Sequence, residues 1–125
     1  MNEDISVLIV DDSEDLRELL SVVIERNSEH WQVVATAAEG QQGIEEARTS
    51  QPDLVLLDIA MPVMDGVQAT KQIRKQWPTA CVLMLTGSNS RTDVDRAREA
   101  GAAGYVTKER IAAELIDAIL EIGGR

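Results

Sequence analysis

At 125 residues the chain is long enough for one domain that buries roughly two thirds of the surface its unfolded form exposes. A net charge of −10 and an aromatic set limited to Trp31, Trp77 and Tyr105 exclude a nucleic-acid partner gripped by clustered cations or by stacked rings. The single cysteine, Cys81, can build neither a disulfide framework nor a metal site and reads as a small core residue; no run approaches a membrane span and the N-terminus lacks signal-peptide features, so the expected location is the cytoplasm, with no membrane partner.

Val7 to Val10 is a short apolar run, read as a first strand, and it ends in Asp11 and Asp12. Helical periodicity follows through Leu16, Leu19, Leu20, Val23 and Ile24, with Val22 widening the stripe; its breadth is mostly core, with a margin that could meet a partner helix. Trp31 to Ala37 is a second strand, and Gly40 to Arg48 a short helix with Ile44 and Ala47 facing inward. Leu54 to Leu57 is unbroken apolar sequence, which marks a strand buried on both faces, and it stops at Asp58. Pro62 and the Asp65-Gly66 pair then impose a loop, with Asp65 placed to cap a helix whose stripe is Val67, Thr70, Ile73 and Trp77, ended by Pro78.

Ala80 to Leu85 forms a fourth strand, ending in Thr86-Gly87. Ser90 with Asp93 has the spacing of a capping box for a helix to about Ala100. That helix offers only Val94, Ala97 and Ala100 as apolar anchors, which implies low local stability and a capacity to shift. Gly104 to Thr107 is a short fifth strand running into Lys108, and a last helix spans Ile111 to about Ile122 on the stripe Ile111, Leu115, Ala118, Ile119 and Ile122. Ile116 and Leu120 fall on its flank as an exposed apolar pair and a candidate interface.

Five strands alternating with five helices specify an α/β doubly wound sheet with right-handed crossovers, and no linker or repeat divides residues 1–125. In a parallel sheet all strand carboxyl ends share one rim, where ligands bind. Asp11, Asp12, Asp58, Thr86 and Lys108 therefore meet there. At ~5 Å and an effective dielectric of ~20 each carboxylate pair costs about 3 kcal/mol, so a cation is expected, and an all-oxygen set selects Mg²⁺. Lys108 supplies a point charge for a phosphoryl oxygen and the Thr86 hydroxyl a donor; together the groups describe phosphoryl transfer onto an aspartate.

On these residues, and on the stretches Leu56 to Gly66, Thr86-Gly87 and Ala100 to Lys108, the chain resembles the receiver domain of two-component response regulators over essentially its whole length. The resemblance implies a flavodoxin-like (βα)5 fold with strand order 2-1-3-4-5. It implies that Asp58 is the phosphoacceptor, that Asp12, Asp58 and the Ala60 carbonyl coordinate Mg²⁺, and that Asp11 holds an ion-bound water. It further implies that Thr86 and Lys108 contact the phosphoryl group and that Tyr105 is a switch aromatic, turning inward as the Thr86 hydroxyl moves. The expected function is a phosphorylation-activated switch that catalyses its own phosphorylation and dephosphorylation. The donor would be a histidine kinase or histidine phosphotransfer protein, since the one histidine, His30, reads as a solvated loop residue.

The pattern departs from many receivers in having Glu109, not proline, after the lysine, which makes a cis peptide there unexpected. The ending resembles receivers joined to helix-turn-helix DNA-binding domains, so the chain is expected to be a stand-alone receiver or the regulatory part of a DNA-binding regulator. Output or dimerisation would use the fourth helix, fifth strand and fifth helix. The alternative is a Mg²⁺-dependent aspartate phosphatase of the haloacid-dehalogenase type; that family needs a second Asp where this chain has Ala60. A flavin module would meet three repelling carboxylates, and a pseudo-receiver would be expected to lack one of the five rim residues.

Overall fold

The computed structural model describes residues 4–61, 63–87 and 91–123, with backbone alone at 112, 122 and 123. Strands and helices alternate: β1 (Ile5–Val10), α1 (Glu14–Asn27), β2 (Trp31–Ala37), α2 (Gly40–Ser50), β3 (Leu54–Asp58), α3 (Gly66–Gln76), β4 (Cys81–Thr86), α4 (Arg91–Ala100), β5 (Gly104–Thr107) and α5 (Ile111–Gly123). A single 3-10 turn, Lys108–Arg110, separates β5 from α5. The sheet order is β2-β1-β3-β4-β5 and every pairing is parallel, as expected.

Strand alternation divides the core in two. One face carries Leu8, Val10, Val55, Leu57, Val82 and Met84 against Ile44 and Ala47 of α2, Val67 and Ile73 of α3, and Ala97 and Ala100 of α4. The other carries Val7, Ile9, Leu54, Leu56, Leu83, Leu85 and Val106 against Leu20 and Ile24 of α1 and Leu115 and Ile119 of α5. All five residues of β3 are buried, because it lies in the middle of the sheet between two helical layers. A buried hydroxyl on α3 is satisfied within this core: Thr70 Oγ1 donates to Met84 Sδ at 3.2 Å.

Several expectations need correction. Leu19 and Val22 are about half exposed, so the seam of α1 is the narrower stripe Leu16, Leu20, Val23 and Ile24. One helix layer covers only part of a cylinder, and residues three apart on its flank stay wet. On α5 the supposed flank pair splits: Ile116 packs on the core while Leu120 remains 53 % exposed. Trp77 is the C-cap of α3 rather than a member of it, half-buried against the first core. Helix α2 runs to Ser50 and is closed by Gln51 in a left-handed conformation (φ 44°) whose N–H reaches Ala47 O. His30 is not simply solvated: its ring Nδ1 lies 3.0 Å from Asp4 Oδ1. Ser90 of the expected Ser90–Asp93 box, Pro62 and the Ile122 side chain lie outside the described residues. No cis peptide occurs among the described residues, and none of their helices is long and apolar enough to cross a membrane.

Candidate functional site

The rim residues are held by short local devices. As β1 ends, the Asp11 N–H donates to Ala37 O at 3.0 Å, and Asp11 Oδ1 accepts from the Ser13 N–H at 2.8 Å. Ser13 in turn caps α1, its Oγ accepting from the Leu16 N–H. Arg17, one turn into α1, donates from its guanidinium to the Asp11 carbonyl at 2.7 Å. Asp11 is fully buried while Asp12 is exposed, so adjacent acids meet opposite environments.

Asp58 closes β3 at 1 % exposure, and its Oδ1 accepts from the Ala60 N–H at 3.1 Å. The loop beyond it is tied to the sheet by Ile59 N–H to Leu85 O and returned by Gly66 N–H to Ile59 O, both at 2.9 Å. A Cβ at Gly66 would overlap the Asp58 carbonyl oxygen, so close backbone approach requires glycine there. Asp65 caps α3 as expected. The structure adds a reciprocal bond, Gln68 N–H to Asp65 Oδ1 at 2.9 Å and Asp65 N–H to Gln68 Oε1 at 3.3 Å. The second Asp65 oxygen pairs with Arg96 of α4 at 2.9 Å. Between these anchors Val63 takes φ 70° with its side chain fully exposed.

The 3-10 turn after β5 brings Lys108 Nζ to 3.0 Å from Asp11 Oδ2 and 3.1 Å from Asp58 Oδ2. Burial pushes the Asp58 carboxyl above its usual range; the Asp11 charge adds to the rise, while the Ala60 N–H and Lys108 oppose it. For Lys108 burial works against the cation, yet the two carboxylates outweigh it and raise its pKa. Oxygen atoms of Asp11, Asp12 and Asp58 all lie within 4.8 Å of one another. Asp11 Oδ2 is buried and faces the Lys108 ammonium at 3.0 Å. An all-oxygen trio of two buried acids and one exposed acid fits a small hard cation.

Thr86 ends β4 fully buried, in register with Thr107 of β5. Tyr105 is 40 % exposed, on a groove with Val94, Ala97 and Arg98 of α4. The five rim residues thus stand at the carboxyl ends of four adjacent strands, β1, β3, β4 and β5, as the topology requires. What sequence reading missed are Arg17 and Arg96, whose spacing from Asp11 and Asp65 carries no motif, and Gln68, which stands three residues after Asp65 and was legible as the second half of a capping box.

Residues 7–120 match the family model of the response regulator receiver domain. The chain is 38 % identical over 118 residues to the transcriptional regulatory protein LnrK of Bacillus subtilis, covering 94 % of this chain and 53 % of that protein. It spans about half the length of several curated relatives it matches. A two-component response regulator of the LuxR family from Aurantimonas superposes with a TM-score of 0.91 at 35 % identity, over 98 % of this chain and 88 % of that one. CheY from Borrelia burgdorferi, solved as a CheX-CheY-BeF3-Mg²⁺ complex, superposes with a TM-score of 0.88 at 27 % identity, over 97 % and 90 %. The family is the one whose fold and rim the sequence resembles, and nothing supports the phosphatase alternative. With five strands in the order β2-β1-β3-β4-β5 and its acids gathered at their carboxyl ends, the chain belongs to the response regulator receiver domain family.

Proposed function

We propose that this domain is a phosphorylation-activated signalling switch whose acceptor is Asp58. The observation that carries the reading is the placement of a buried carboxylate, Asp58, 3.1 Å from the Lys108 ammonium and beside two further acids. Asp11, Asp12, Asp58 and the Ala60 carbonyl would hold Mg²⁺, which when bound supplies charge neutralisation and Lewis-acid polarisation of the phosphoryl group. The CheY neighbour solved with BeF3 and Mg²⁺ supports that assignment.

The chain's own residues do the rest. An Asp58 carboxylate oxygen attacks phosphorus, and the bond to the donor's leaving group breaks; a phosphohistidine donor leaves as imidazole after protonation, acetyl phosphate as acetate. Lys108, already paired with both buried acids, shifts its contact to a phosphoryl oxygen and stabilises the charge that develops there. The Thr86 hydroxyl donates to a second phosphoryl oxygen, and Tyr105 turns from its exposed position into the space vacated. Helix α4, seated through Ala97 and Ala100, repacks with it and alters the face formed by α4, β5 and α5. A histidine kinase or phosphotransfer protein is the proposed donor, and an output domain or second copy the proposed reader of that face. The greater length of several relatives supports a linked output domain.

Mass spectrometry after incubation with acetyl phosphate or phosphoramidate and Mg²⁺ tests the reading. One added phosphoryl group, labile to hydroxylamine and absent from Asp58→Asn, is expected. Modification that survives that substitution would place the acceptor elsewhere.

A further inference from the structure

Asp11 is restrained at every polar atom of its backbone and side chain. Its N–H is held by Ala37 O, its carbonyl by Arg17, its Oδ1 by the Ser13 N–H, and its Oδ2 lies against Lys108. Three of these restraints are local to the strand end or belong to the rim itself. The fourth, from Arg17, comes from six residues along the chain and ties the first turns of α1 to the β1–α1 turn. It is a charge-assisted bond at 2.7 Å in a partly buried setting, the kind that fixes a peptide plane firmly. The peptide it fixes is the one joining Asp11 to Asp12. Asp12 is exposed, yet one of its oxygens lies within 4.8 Å of the buried pair. With the Asp12 side chain exposed to solvent, its aim depends on the backbone that carries it.

We propose that Arg17 is a positioning residue for the divalent cation: by holding the Asp11 carbonyl it sets the Asp11–Asp12 peptide and so aims the exposed Asp12 carboxylate at the metal cluster. The inference rests on the Mg²⁺ site described above and deepens it. Two effects of Arg17 have opposite signs. As a cation near the acids it disfavours a second cation, and its removal would tighten Mg²⁺ binding. As an orienting donor it pre-organises a ligand, and its removal would weaken Mg²⁺ binding. Groups that orient metal ligands without touching the metal typically govern about 10–100-fold in affinity; the Arg17 guanidinium, half-buried and bonded to a backbone carbonyl, also keeps part of its charge effect. We take orientation as the larger of the two, and the sign of the Arg17→Met effect decides between them.

The experiment titrates Mg²⁺ into the whole chain, native and variant, by calorimetry, with the Asp12 amide resonance followed in parallel. Arg17→Met is expected to bind Mg²⁺ at least about 10-fold more weakly, with the metal-free Asp12 resonance shifted and broadened. Arg17→Lys, which keeps a donor and the charge with a shorter reach, should fall between Met and native. Native-like or tighter Mg²⁺ binding by Arg17→Met overturns the proposal; if that variant does not fold, native-like binding by Arg17→Lys does so. A native chain that binds no Mg²⁺ sinks the underlying site, a failure distinct from native binding that the Arg17 variants share.

Discussion

Replacing Asp58 by Asn removes one charge from the most crowded point of the rim, and the sign of the effect can be worked from the distances. With oxygens no more than 4.8 Å apart, Asp11 and Asp58 repel by at least about 3.5 kcal/mol at an effective dielectric of ~20. Lys108, 3.1 Å away, attracts Asp58 by about 5 kcal/mol on the same scale, less after screening because its side chain is 30 % exposed. Asp12, equally near but exposed and therefore screened, adds to the repulsion, so the charge contributions roughly offset and desolvation of a carboxylate with 1 % exposure decides the balance, in agreement with the raised pKa. The amide fills the same volume without that penalty, and Lys108 retains Asp11. Asp58→Asn is therefore expected to stabilise the metal-free domain by about 1–3 kcal/mol, which raises its melting temperature by roughly 4–12 °C. The assay is thermal unfolding in EDTA, repeated from pH 7 downward. A carboxyl whose folded-state pKa is raised favours the folded state when protonated. Its penalty is thus full above the raised pKa and gone below the ordinary value of 3.8. The gap between variant and native should close as pH falls through that window. An Asn variant that melts below the native chain in EDTA, or a gap indifferent to pH, would refute the electrostatic reasoning.

Other outcomes follow from the same geometry. Mg²⁺ at a hundredfold excess over its dissociation constant should stabilise the native chain by about 2.7 kcal/mol, and Asp12→Ala should abolish most of that response; a flat melting temperature up to tens of millimolar Mg²⁺ would count against any metal site. Thr86→Ala should still accept phosphate at Asp58 yet lose most hydrogen-exchange changes across residues 91 to 110, and a normal response there would show that the hydroxyl is not the coupling element. Because a two-state shift from 1:99 to 99:1 demands about 5.5 kcal/mol of differential binding, phosphate alone should activate the native chain only partially, with a partner supplying the rest. With a net charge of −10, the chain alone should give no sequence-specific gel shift at moderate salt, phosphorylated or not.

The sheet was legible because its central strands are apolar runs too short for helices, each stopped by a polar residue; Leu54 to Leu57 followed by Asp58 states burial and strand end together. The rim was legible for a topological reason, since parallel strands deliver their last residues to one edge whatever lies between them. The helix flanks were harder. Periodicity put Leu19 on the core stripe and Ile116 off it, but how much of a helix is covered depends on the neighbouring layer, which the pattern does not encode. Arg17 and Arg96 were invisible for another reason: each acts through one long side chain, on Asp11 six residues back or on Asp65 thirty-one residues back, and an arginine on any helix has the same local signature.

The seating of α4 has a mechanical consequence. Helices α1 and α5 present branched side chains, Leu20, Ile24, Leu115 and Ile119, that interlock with the sheet as teeth do. Helix α4 meets it mainly through the methyl groups of Ala97 and Ala100, while a single arginine, Arg96, reaches across to Asp65. A toothed contact has one register and resists displacement until it disengages. A smooth contact has many nearly equivalent registers separated by low barriers. The layer of α1 and α5 thus behaves as a fixed gear and α4 as a bearing, so displacement of α4 should leave Leu20, Ile24, Leu115 and Ile119 seated on the sheet.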